Sequence, residues 1–98
     1  MKLTKLSNEF LEYMVKTYHD THNKGFVFSQ FKELHFDFDD EFISDALYLL
    51  QKDGLVKVFP ADNIAYMVSL NVTAVRNAEE NTLLKKGYDF AKEIRSWI

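Results

Sequence analysis

Apolar residues along this chain follow two rhythms, and the change from one to the other outlines a fold. Phe10, Leu11, Met14, Val15 and Tyr18 recur at helical spacing, which predicts a first helix from about Asn8 to His22. Ser7 stands where an N-cap belongs, Leu6 and Leu11 have the spacing of a hydrophobic staple, and Asn23-Lys24-Gly25 predicts the stop. Gly25-Phe26-Val27-Phe28 is aromatic and β-branched and predicts a brief strand. Ser29 then caps a short second helix to about His35, with Phe31 and Leu34 turned inward. After His35-Phe36-Asp37-Phe38, a cap at Asp37 or Asp39 and a C′ glycine at Gly54 bracket a third helix ending near Asp53. Phe42, Ala46, Leu49 and Leu50 form its apolar stripe, widened by Ile43 and Leu47. The period then shortens to two. Leu55–Phe59 and Ile64–Leu70 flank the turn formers Pro60-Ala61-Asp62-Asn63 and predict a hairpin. The polar stretch from Asn71 to Asn81 fits helix or loop. Leu83, Leu84, Gly87, Tyr88, Phe90, Ala91, Ile94, Trp97 and Ile98 then predict a closing amphipathic helix, with Lys85, Lys86, Asp89, Lys92 and Glu93 on its other side.

Helix, short strand, two helices and a hairpin is the order of an α+β winged helix-turn-helix domain, here with a C-terminal amphipathic helix appended. Ninety-eight residues support one core and no second, so residues 1–98 form a single domain, with 1–70 the winged-helix core and 71–98 a helical extension. The absence of cysteine excludes disulfides, thiolate metal sites and a cysteine nucleophile. No apolar run approaches the length of a signal peptide core or a membrane span, which predicts a cytoplasmic protein without membrane contact. Asn71-Val72-Thr73 matches a glycosylation sequon, a pattern too short to count without secretion.

The run from Phe31-Lys32-Glu33-Leu34 through Phe42-Ile43-Ser44-Asp45-Ala46-Leu47 to Leu50-Gln51-Lys52-Asp53-Gly54-Leu55-Val56 resembles bacterial winged-helix regulators. At Phe42, Asp45, Ala46, Leu50 and Gly54, and in the ending Lys92-Glu93-Ile94-Arg95-Ser96-Trp97-Ile98, it is similar to the small YjcQ-like winged-helix proteins of Gram-positive bacteria and their phages. Leu70-Asn71-Val72-Thr73-Ala74 stands where such proteins often carry Leu-Thr-x-x-Gly after the wing. The resemblance implies a winged-helix fold and a DNA-binding transcriptional regulator, and it carries no catalytic motif.

Charge argues against the DNA part of that implication. The formal net charge is −3, and between Asp37 and Asp53 six acidic residues face Lys52 alone. Read as a recognition helix, the third helix turns Glu41, Ser44, Asp45, Tyr48, Gln51 and Lys52 outward. Gln51 can pair with adenine, Ser44 can meet a base or phosphate, Tyr48 can reach a phosphate, and Lys52 and the wing residue Lys57 can each neutralise one. Lys24 and Lys32 can add contacts. Affinity for double-stranded DNA would still require a homodimer to double so few cations. Leu84, Ala91, Ile94, Trp97 and Ile98 in the last helix are the candidate contacts for one, and packing of that helix against the first helix of the same chain is the equal alternative. The competing expectation is a protein-interaction module whose acidic face, Asp40, Glu41 and Asp45, docks on a basic partner. Helix-dipole capping accounts for Asp39, Asp40 and Glu41 without a partner but leaves Asp45 unexplained. His19 and His22 have a metal-compatible spacing without a third ligand, and the Phe residues from Phe26 to Phe42 are a packed core or an aromatic pocket. With no nucleophile elbow, phosphate loop or paired catalytic carboxylates, no catalytic residue, metal or cofactor is expected.

Overall fold

The computed structural model describes residues 1–80, with side chains described through Arg76. Its elements are α1 (Leu3–Thr21), β1 (Gly25–Val27), α2 (Phe28–Leu34), α3 (Asp40–Lys52), β2 (Val56–Ala61), β3 (Ile64–Leu70) and α4 (Val72–Glu80). The fold is α+β: four helices and a three-stranded antiparallel sheet in the order β1-β3-β2. The helix expected at 83–98, with its proposed dimer contacts Leu84, Ala91, Ile94, Trp97 and Ile98, lies outside the described residues.

One core holds these elements together. Leu6, Phe10, Leu11, Met14 and Val15 from α1 meet Ile43, Ala46, Leu47 and Leu50 from α3, and Phe26, Val58, Val68 and Leu70 close the core from the sheet. Register explains the sheet's contribution: Phe26 lies opposite Val68, which lies opposite Val58, so one row of side chains faces the helices. Phe10, Phe26 and Phe31 pack against each other, as Phe38 does against Phe42, rather than around an opening, and Phe36 is exposed. Phe31 sits 5.0 Å from Phe10 and 6.1 Å from Phe26 between ring centroids.

Four local expectations are corrected. Helix α1 begins at Leu3, and Ser7 is not its cap but a buried residue within it. The Ser7 hydroxyl lies 2.9 Å from the Ala46 carbonyl and 3.1 Å from that of Leu3, so its polarity is satisfied across the α1–α3 contact. Ser29 does not cap α2. Val27 is the N-cap there, and its N–H donates to Oε1 of Gln30 at 2.8 Å, the returning half of a capping box. The hairpin turn is narrower than Pro60–Asn63: only Asp62 and Asn63, both left-handed at φ 54° and 64°, leave the ladder. Two consecutive left-handed residues are the signature of a type I′ hairpin, which Asp and Asn tolerate best after glycine. Leu34, expected to point inward, is 46% exposed.

Helix α3 ends as the pattern predicts. Gly54 has φ 78°, its N–H donates to the Gln51 carbonyl at 2.9 Å, and the Leu55 N–H donates to Leu50 at 3.0 Å. This is a Schellman motif with buried Leu50 and Leu55 at its apolar positions. The segment after the hairpin resolves to helix α4, because Asn71 is its N-cap: Oδ1 accepts from the Ala74 N–H at 3.1 Å. Asn71 also donates from Nδ2 to Gly54 and from its backbone to Leu55, tying α4 to the end of α3.

Candidate functional site

Helix α3 and the β2–β3 hairpin it rests on contain the main candidates for reading DNA or docking a protein, with Lys24 before β1 and Lys32 in α2 lying outside them. On a helix advancing 100° per residue, Ser44 and Gln51 fall on one line down the flank of the apolar stripe. Both point at the hairpin. Ser44 is only 3% exposed, and its Oγ accepts the backbone N–H of Ala65 at 3.1 Å. That amide is available because Ala65 and Tyr66 together oppose Pro60, a bulge at the shift in register between Phe59 and Ala61. Gln51 Oε1 accepts the N–H of Val58 at 2.6 Å. Val58 donates away from β3, so Gln51 covers an amide on the free edge of β2, and Pro60, two residues on, has none to present.

These contacts correct two expected DNA contacts. Ser44 is a buried brace rather than an outward residue. Gln51 remains exposed, but its acceptor is committed to Val58 and is not free for a bidentate contact with adenine. Lys32 is also committed: its Nζ donates to the Phe38 carbonyl and pairs with Asp40 at 3.0 Å, pinning the connection between α2 and α3. His35 supports the same connection, with Nε2 2.7 Å from Glu9 Oε2 and its ring stacked on Phe38 at 4.5 Å and 6°.

The outer face of α3 is what remains: Glu41, Asp45, Tyr48 and Lys52 at spacings of four, three and four. Glu41, Asp45 and Lys52 are exposed and Tyr48 is half-buried against the core. Asp40 and Glu41 occupy the first turn, where the helix dipole favours a carboxylate. Asp39 is the N-cap residue but makes no side-chain capping bond. Glu41 and Asp45 have no ion-pair partner among the described residues. On the exposed side of β2, Lys57 stands 5.3 Å over the Phe59 ring. The exposed side of the sheet carries an apolar row in register, Val27 opposite Met67 opposite Phe59, with exposed Tyr66 at the bulge.

No group of three or more acidic or histidine side chains among the described residues is arranged to hold a metal ion. His19 and His22 lie with Tyr18 and Arg76 around a small cleft, and Arg76 brings a cation rather than a third ligand. No helix among the described residues is long and apolar enough to cross a membrane. Compared with models of protein families, with curated proteins and with solved structures, the chain matches none.

Proposed function

We propose that this chain is a winged-helix domain acting as a protein-interaction module, docking through the outer face of α3 on a basic partner. The winged-helix reading is supported by the order α1-β1-α2-α3-β2-β3, by the β1-β3-β2 sheet, and by α3 lying against a hairpin that stands as its wing. The observation that carries the functional reading is the division of polar groups on α3. The groups a duplex reader would use, Ser44, Gln51 and nearby Lys32, are bonded within the fold, while Glu41 and Asp45 face solvent without an ion pair. A phosphate backbone brought to that face would meet repulsion, with Lys52 and Lys57 left to offset it. A Lys- or Arg-rich surface would meet complementary charge, which sets both encounter rate and orientation.

A display library of helical peptides carrying Lys and Arg on one face tests this reading. Selected peptides should lose about tenfold in affinity, about 1.4 kcal/mol, when Glu41 and Asp45 are changed together to Gln and Asn, Asp40 being held by Lys32. Unchanged affinity would remove α3 from the interface.

A dimeric DNA-binding regulator is the second reading, and the element order favours it. It would draw its phosphate contacts from Lys52 and Lys57 of two copies, with Tyr48 beside them, and its dimer contacts from Leu84, Ala91, Ile94, Trp97 and Ile98.

A further inference from the structure

Where the end of α1 meets α4, a small cleft brings two imidazoles and a guanidinium together. Tyr18, His19, His22 and Arg76 line it, and its volume is about 140 Å³. Pockets that enclose a whole small molecule run to roughly 300–1,000 Å³, so this one fits a single compact group. No carboxylate lines it, and the His19, His22 and Arg76 side chains have no ion pair among the described residues. Asp20, the acid nearest in sequence, stands about 100° or more around α1 from both Tyr18 and His19. His22 is held in place. It is the C-cap of α1 with φ 62°, a left-handed conformation that glycine and asparagine adopt most readily. Its N–H donates to the Tyr18 carbonyl at 2.7 Å, and its ring meets that of Tyr18 edge-on at 5.7 Å between centroids. The Thr21 hydroxyl donates to the Thr17 carbonyl at 2.8 Å, so two carbonyls at the end of α1 are already bonded and do not meet an incoming anion as free acceptors.

We propose that His19, His22 and Arg76 hold a phosphate group in this cleft, either as the free ion or as the terminal monoester of a small molecule whose remainder lies in solvent. The chemistry of the three side chains selects the ligand. A guanidinium presents a planar fork of N–H donors that takes two oxygens at once. An imidazole donates from one nitrogen when neutral and from both when protonated. A carboxylate has two oxygens and is filled by the fork alone. A phosphate monoester has three terminal oxygens and up to two negative charges, enough to engage the fork and both imidazoles. A metal cation would be repelled by Arg76. None of the lining residues belongs to α3, so this site and the proposed docking face stand or fall separately.

An NMR titration of the full chain with sodium phosphate at about pH 6, with sodium chloride holding the ionic strength constant, tests the site. The expected result is a saturable shift of the His19 and His22 ring signals and of the Arg76 Nε–H, with a midpoint of about 1 mM or tighter, that chloride alone does not reproduce. Arg76→Gln and, separately, His22→Asn should each weaken binding about tenfold. Both positions are exposed, and asparagine keeps the left-handed end of α1, so each variant stays folded. Methyl phosphate bound as tightly as inorganic phosphate assigns the site to a monoester, and binding of inorganic phosphate alone assigns it to the free ion; both outcomes support the site. Shifts that grow without saturating, that chloride reproduces, or whose midpoint neither variant moves would overturn it.

Discussion

The inner and outer faces of α3 are built under different constraints. On the inner face, Ile43, Ala46, Leu47 and Leu50 are fully buried, and the flanking Ser44 and Gln51 each take a hairpin amide as partner. On the outer face, Glu41, Asp45 and Lys52 have no comparable duty. One helix therefore has a side fixed by packing and backbone satisfaction and a side left free for a partner. Polarity alone does not tell which side a residue belongs to: two of the six residues expected outside hold the hairpin in place.

The largest effect should come from the inner face. Leu47→Ala removes a fully buried side chain and should cost about 2–5 kcal/mol, read as a lower urea midpoint. A loss below 1 kcal/mol would mean that the α1–α3 contact is looser than its burial implies. Ser44→Ala leaves the buried Ala65 amide without its acceptor and should cost about 1–3 kcal/mol in the same assay. A neutral result would restore Ser44 to the list of residues free to bind. Gly54→Ala should cost about 1 kcal/mol through backbone strain alone, since a Cβ there would meet no atom within 4 Å. Gln51→Ala should cost about 0.5–1.5 kcal/mol and speed hydrogen exchange at the Val58 amide. Unaltered exchange would show that the edge of β2 is protected by something else. The smallest effect belongs to Asp45→Asn, which should leave stability within about 0.5 kcal/mol. A larger loss would give Asp45 a structural role and dissolve the contrast between the faces.

Elements governed by local periodicity were legible in the sequence. The stripes on α1 and α3, the Gly54 stop and the alternation in β2 and β3 each depend on residues within a turn or two of one another. What escaped depends on distant partners. Ser7 and Ser44 read as a cap and a DNA contact because nothing local reveals that Ala46 lies 39 residues from one and Ala65 lies 21 from the other. A usable signal did exist for the second. Ser44 and Gln51 are seven apart on the flank of the stripe, a quarter-turn from Ile43, and Pro60 in a strand implies an irregular ladder opposite it. The free amides such an irregularity leaves call for side-chain acceptors. The turn at Asp62-Asn63 was placed too broadly because Pro60 is a turn former in most contexts, whereas on the free edge of β2, beside the bulge, its missing N–H costs no ladder bond. Of the candidate site, the acidic outer face was legible from helical spacing, whereas the loss of Ser44, Gln51 and Lys32 to internal bonding was not.

The proposal that the outer face of α3 docks a basic partner rather than DNA is tested most directly by selection from a random duplex DNA library, followed by a salt series. The interaction-module account predicts no enriched sequence at low salt, and only weak binding indifferent to sequence. An enriched motif, bound with log affinity falling by several units per unit of log salt and weakened by Lys52→Ala and Lys57→Ala, would contradict it and establish the helix and hairpin as a reader of DNA.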